Sequence, residues 1–111
     1  MRSQRDWTKK INELIEALEN VGTGRWNAAD ELGEIAEANP GNAEVMKAVP
    51  MLVKALKDND ADVRYSAAQA LGAIGDARVL PDLKRVSESD QDDIVRESAS
   101  EAINKITKKQ R

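Results

Sequence analysis

Residues 58–76, DNDADVRYSAAQALGAIGD, contain a helical pattern in which small residues occupy the positions that would pack. At 100° per residue, one face of this helix carries Val63, Ala67, Ala70 and Ile74. A second face carries Ala68, Gly72 and Gly75. A glycine inside a helix costs about 1 kcal/mol relative to alanine, so close packing gives a reason for its presence. The pattern therefore predicts a helix with a neighbouring helix on each of these two faces.

The same pattern occurs three times along the chain. The aligned segments are VRYSAAQALGAI (63–74) with VRESASEAINKI (95–106), and RWNAADELGEI (25–35) with RYSAAQALGAI (64–74). The segments before them also match, as in INELIEALEN (11–20) and VPMLVKALKD (49–58). A period in the thirties built from two helices is typical of an α-solenoid. We predict one domain over residues 1–111, with repeats at 3–38, 42–75 and 76–108.

Capping residues and prolines predict the ends of the helices. Ser3 with Asp6 resembles a capping box for the first helix. The candidate N-cap residues of the next five helices are Thr23, Asn42, Asp60, Asp76 and Asp92. Pro81 suits the first turn of a helix. Pro50 lies inside a run from 42 to 57 that otherwise resembles one helix, so we expect a kink there or a short separate turn at 43–48.

The repeated segments resemble HEAT-like repeats, and in particular the subtype named after the phycobilin lyases. The resemblance rests on P-x-L-x-x-A-L-x-D followed by D-x-D-V-R-x-x-A-A-x-A-L-G-x-I-G-D, and it covers nearly the whole chain. It implies an all-α fold of three helix–turn–helix repeats with six main helices. In that family the second helix of each pair lines the concave surface of the solenoid. The motif is specific for the fold and says little about function.

The two ends of the repeat array are more polar than its middle. In the first repeat, Glu31 lies on the face that would contact a preceding repeat. In the last repeat, the face that would contact a following repeat carries Ser100, Asn104 and Thr107. Because terminal repeats of solenoids have a polar outer face, we expect a complete three-repeat protein that is a monomer.

Composition excludes several classes of function. The chain of 111 residues has no cysteine and no histidine, which removes thiol chemistry and the commonest general base and metal ligand. Its net charge is −3, so we expect no nucleic-acid partner. The N-terminus leads into an amphipathic pattern without a long apolar run, so we expect no membrane partner and a cytoplasmic location.

Three arginines occupy equivalent positions at the start of the second helix of each repeat, namely Arg25, Arg64 and Arg96. Acidic loops accompany them, with Asp58 and Asp90 as the equivalent carboxylates. Such a set suits either an anion-binding ladder or a structural Arg–Asp ladder between repeats. The resemblance implies the structural ladder, and we favour it because an arginine turned towards a partner helix usually pairs with a carboxylate.

The face predicted to be concave carries two aromatic rings on an acidic surface. Stacking the second helices would place Trp26 beside Tyr65. The polar residues predicted on the same face are Asp30, Glu34, Gln69, Glu97 and Glu101. Exposed rings with a charged surround are typical of a binding hot spot, so we predict that a protein or peptide with basic residues binds there.

These features predict a non-catalytic interaction or scaffold module that is not an enzyme and needs no cofactor or metal. The loop DNDADV resembles the start of a calcium-binding loop but lacks its glycine and its final glutamate. Two alternatives stay open: a bilin lyase subunit or chaperone, by the resemblance, and an acid–base enzyme that uses the concave carboxylates. HEAT-like metal-dependent hydroxylases use His–Glu pairs, and this chain has no histidine.

Overall fold

The computed structural model describes residues 7–20 and 24–109, and within these ranges all regular structure is helical. The six α-helices are α1 (Thr8–Glu19), α2 (Arg25–Ala38), α3 (Val49–Ala55), α4 (Ala61–Ile74), α5 (Leu80–Ser89) and α6 (Asp93–Lys109). Short 3₁₀ turns at Val45–Ala48 and Ala77–Val79 precede α3 and α5. The prediction of an all-α solenoid with six main helices is confirmed. None of the helices in these ranges is long and apolar enough to cross a bilayer.

The helices form two layers. Each odd-numbered helix packs against the even-numbered helix that follows it, so that α1 pairs with α2, α3 with α4, and α5 with α6. The even-numbered helices stack directly, with α4 between α2 and α6. The described part of the protein is elongated and flat, with extents of 49 × 38 × 18 Å. This is the arrangement that stacked helix pairs produce.

Glycine and alanine set the spacing between the stacked helices. A Cβ atom added to Gly72 would lie 2.9 Å from the Cα atom of Ala102 on α6. A Cβ atom added to Gly33 would lie 3.1 Å from the Cα atom of Ala70 on α4. The two small-residue faces of α4 therefore contact α2 on one side and α6 on the other, as the helical pattern predicted.

The core of the described residues is aliphatic. Its largest fully buried side chains are Ile11, Leu32, Leu52, Leu71, Leu83, Ile106, Val45, Val63 and Val95. Leu71 lies on α4 and is 0% exposed, which agrees with its predicted central position. Trp7 packs against the edge of this core and remains half-buried.

Aspartates cap several helices as predicted. The Asp60 carboxylate accepts a hydrogen bond from the amide of Asp62 at the start of α4. The Asp92 carboxylate accepts bonds from the amides of Ile94 and Val95 at the start of α6. Asp76 caps the 3₁₀ turn before α5 by accepting a bond from the amide of Arg78.

Other predicted ends differ or lie outside the described residues. Ser3, Asp6 and Thr23 are not among the described residues, and α2 follows Gly24, whose φ of 98° is left-handed. Asn42 accepts a bond from the amide of Glu44 and so organises the turn before the 3₁₀ segment. The run around Pro50 is divided into that segment and α3, with the proline in the first turn of α3. This confirms the separate-turn alternative.

We expect Gly72→Ala to destabilise the protein although alanine favours a helix. The new methyl group would push α4 and α6 apart, and overpacking costs about 1–3 kcal/mol, against a gain of about 1 kcal/mol in helix propensity. Chemical denaturation of the parent and the variant measures the difference. Adding Ala102→Gly restores the space and should recover part of the loss. Equal stability of Gly72→Ala and the parent would contradict the close contact.

Candidate functional site

The guanidinium of Arg64 links two successive repeats. Its Nε and Nη2 atoms donate to the two carboxylate oxygens of Asp90 at 2.8 and 3.1 Å. Its Nη1 atom donates to the main-chain carbonyl of Asp58 at 2.8 Å. Both partners of the ion pair are largely buried, with side chains 15% and 7% exposed. Such a two-pronged bond fixes the orientation of the loop as well as its charge.

Arg25 and Arg96 repeat parts of this arrangement. The Nη2 atom of Arg25 donates to the Asp58 carboxylate at 3.2 Å, while its Nε atom is buried with no hydrogen-bond partner among the described residues. Arg96 donates to the main-chain carbonyl of Asp90 and to the carboxylate of Asp93. The three predicted ladder arginines therefore bond to loop carbonyls and carboxylates of this chain.

The surroundings of Asp90 stabilise its charged form. Burial opposes ionisation of the carboxylate. Hydrogen bonds from Arg64 and from the amide of Asp92, together with attraction to Arg64 and Arg96, outweigh burial and lower the pKa of Asp90 below its ordinary value. The ladder is therefore most favourable when this carboxylate is ionised.

An acidic groove lies between α2 and α4. Its lining residues are Asp30, Gly33, Glu34, Glu37, Ser66, Gln69, Ala70, Ala73 and Lys105, and its volume is about 110 Å³. Three carboxylates come from α2, and the floor consists of the small residues that pack the helices. The Nζ atom of Lys105 lies 3.6 Å from Oε2 of Glu37 at one edge.

The predicted concave-face residues are distributed over more than one place. Three of them, Asp30, Glu34 and Gln69, line the acidic groove. Tyr65 lines a second pocket and accepts a hydrogen bond at its hydroxyl from Gln69 at 2.9 Å. Three others are exposed and line neither pocket, namely Trp26, Glu97 and Glu101.

Sequence reasoning missed two residues of these pockets. Glu37 follows Asp30 by seven positions, which is two helical turns, so the helical pattern could have placed it in the groove. Ile94 lines the pocket beside Tyr65 and is 62% exposed. Its exposure depends on what α4 leaves uncovered, and no motif in the sequence indicates that.

The donor set does not suit a metal centre. The whole chain has neither histidine nor cysteine. Within residues 7–20 and 24–109, no group of three or more acidic residues is arranged to hold a metal ion. The His–Glu pairs of HEAT-like metal-dependent hydroxylases have no counterpart in these residues.

Comparison with protein families identifies the fold. The sequence matches the family described as HEAT repeats over residues 11–104. The chain therefore belongs to the HEAT-repeat family, as the repeated motif predicted. The match supports the family and not the phycobilin-lyase subtype.

Two curated relatives bear on function. The deoxyhypusine hydroxylase of Saccharomyces cerevisiae is 33% identical over 105 residues, which are 91% of this chain and 32% of the relative. The deoxyhypusine hydroxylase of Candida glabrata is 40% identical over 68 residues, which are 60% of this chain and 21% of the relative. The chain thus spans about a third or less of the length of these relatives.

These relatives correct two predictions. Both are named as hydroxylases, which are enzymes. This finding contradicts the prediction of a non-catalytic scaffold and the prediction that the chain is not an enzyme. It also gives no support to a bilin lyase or to an acid–base enzyme built on the concave carboxylates. The sequence argument was wrong because it judged function from the residues of the repeats alone, and the repeat motif defines packing.

We expect Asp90→Asn to lower the free energy of unfolding at pH 7 by about 1–3 kcal/mol, because asparagine loses the charge and one acceptor that Arg64 uses. The folded-state pKa of Asp90 is lowered. Its contribution is therefore fully present above the unfolded-state pKa of about 4. It is lost as the pH falls through the folded-state value. Urea unfolding at pH 7 and pH 3 should show a smaller difference at pH 3.

The matched control is Asp93→Asn, which removes an exposed carboxylate paired with Arg96. It should cost less than about 1 kcal/mol. Equal losses for the two variants at pH 7 would contradict the role assigned to Asp90.

Proposed function

We propose that this HEAT-repeat chain forms a substrate-binding part of an enzyme related to deoxyhypusine hydroxylase, and that its acidic groove receives a cationic side chain of a protein substrate. The observation that carries the proposal is the row of three carboxylates along one edge of the groove. Deoxyhypusine is an amine-bearing derivative of lysine, so its side chain is long and cationic near neutral pH.

The groove offers what a long cationic side chain needs. Asp30, Glu34 and Glu37 lie on one face of α2 and supply oxygen acceptors along its edge. The floor is formed by Gly33, Ala70 and other small residues, which lets a chain of methylene groups lie close to the helices. Amino groups can therefore bind at the edge while the methylene groups contact the floor.

Lys105 supports this assignment from within the chain. Its ammonium group already reaches the groove and pairs with Glu37. Both side chains are more than half exposed, at 55% and 62%, so water screens the pair and a competing cation can replace it. The groove thus accepts an alkylammonium group in the geometry that a substrate would use.

The groove residues bind and orient the side chain, and no bond-breaking step is assigned to them. The relatives are named for a hydroxylation. The donor set described above does not fit a metal ion, so no step of the reaction is derived through one.

A binding measurement tests this function. We expect the double variant Asp30→Asn, Glu34→Gln to bind a 15-residue peptide with one central deoxyhypusine about five- to twentyfold more weakly, since each tenfold change corresponds to about 1.4 kcal/mol. Isothermal titration calorimetry at low salt measures the dissociation constant. The matched control is Glu13→Gln, Glu16→Gln on the exposed side of α1, which changes the net charge equally and should stay within twofold. Equal binding by the parent and the groove variant would overturn the proposal.

Removal of the internal competitor gives a second prediction. Lys105→Ala should bind the same peptide about two- to fivefold more tightly, because the exposed pair with Glu37 is worth less than about 1 kcal/mol and no longer has to be broken. Lys108→Ala removes an exposed lysine of the same helix and controls for net charge. If both variants bind equally well, Lys105 does not compete for the groove.

A further inference from the structure

An exposed apolar residue adjoins the acidic groove on the α6 side. Ile94 lies in the first turn of α6 and is 62% exposed. It lines a pocket of about 190 Å³ together with Ala61, Asp62, Tyr65, Asp92 and Val95. We call these six residues the apolar pocket. An isoleucine this exposed beside a half-buried tyrosine leaves apolar surface for a partner to cover.

The charges around the apolar pocket select a basic partner. Asp62 and Asp92 lie in its wall, and Asp93 and Glu97 follow on the exposed surface of α6. Arg96 is the cation nearest in sequence, and it is already bonded to Asp93 and to a main-chain carbonyl. The uncompensated charge is therefore negative, which favours a segment that carries lysine or arginine beside its apolar residue.

The spacing of the two pockets fits an extended peptide. On α4, the apolar pocket is lined by residues near Asp62 and Tyr65, and the groove by residues from Ser66 to Ala73. At 1.5 Å per residue, their centres differ by about 10 Å along the helix. They also differ by about one helix spacing, 8–10 Å, across it. The resulting distance of about 13 Å is covered by about four residues of an extended chain.

We propose that the apolar pocket binds a large apolar side chain three to five positions from the cationic residue of the same substrate segment. This inference rests on the proposed function of the groove and adds the determinant that selects the sequence around the modified residue. The apolar side chain inserts between Tyr65 and Ile94, while the acidic rim attracts the basic residues beside it. Main-chain groups of the segment cross the α4–α6 surface between the two sites.

A peptide series tests the inference. Each 15-residue peptide has one central deoxyhypusine in a glycine–serine background, with one leucine placed two to six positions away on either side. We expect the parent protein to bind the peptides with leucine three to five positions away on one side about fivefold more tightly than the peptide with alanine there, through burial of apolar area. Ile94→Ser should abolish this preference and leave the affinity for the alanine peptide unchanged. Met46→Ser, which alters another exposed apolar residue outside both pockets, should preserve the preference.

The outcomes separate the two proposals. Binding that depends on Asp30 and Glu34 but shows no preference for leucine at any position would overturn the apolar pocket and leave the groove intact. A leucine preference that survives Ile94→Ser would also overturn it. Failure of every peptide to bind would overturn the groove, and the apolar pocket with it. Circular dichroism of Ile94→Ser shows whether the variant keeps the helical content of the parent.

Discussion

The close approach of α2, α4 and α6 is the constraint on which the rest of the structure depends. It is possible because Gly33 faces Ala70 and Gly72 faces Ala102, with no room for a larger side chain at either glycine. Each glycine lowers the intrinsic stability of its helix, and the packing of neighbouring repeats compensates for it. A solenoid has no other long-range contacts to rely on, so these two contacts fix how its repeats are spaced.

The arginine ladder follows from this spacing. Arg64 reaches the Asp90 carboxylate only because the loop between α5 and α6 is held beside the start of α4. The same carboxylate accepts a bond from the amide of Asp92 and so shapes the loop that begins α6. Helix stacking and loop geometry therefore stabilise each other. The arginines are engaged in this role, which leaves the carboxylates of α2 as the charged groups that face solvent at the groove.

The sequence predicted those features that local chemistry determines. The helix faces of residues 62–75 follow from a fixed angle per residue, and they correctly assigned Ala70 to one neighbour and Gly72 to the other. Aspartate capping at Asp60 and Asp92 was predictable for the same reason, since the bond lies within a few residues. The exposure of Ile94 was not predictable, because it depends on how much of α6 the neighbouring α4 covers. Function was mispredicted because the repeat motif encodes packing, and packing is compatible with enzymes and scaffolds alike.

The same small residues serve the stack and the groove. Gly33 and Ala70 contact each other between α2 and α4, and both also line the groove floor. A larger side chain at either position would fill the groove and separate the helices together, so groove depth is tied to stability at these two positions. Ala73 also lines the groove, but it is not part of the two closest glycine contacts. The shape of the groove can therefore change at Ala73 with less effect on the stack, and selection for a different cationic side chain would act there before it acted on Gly33 or Ala70.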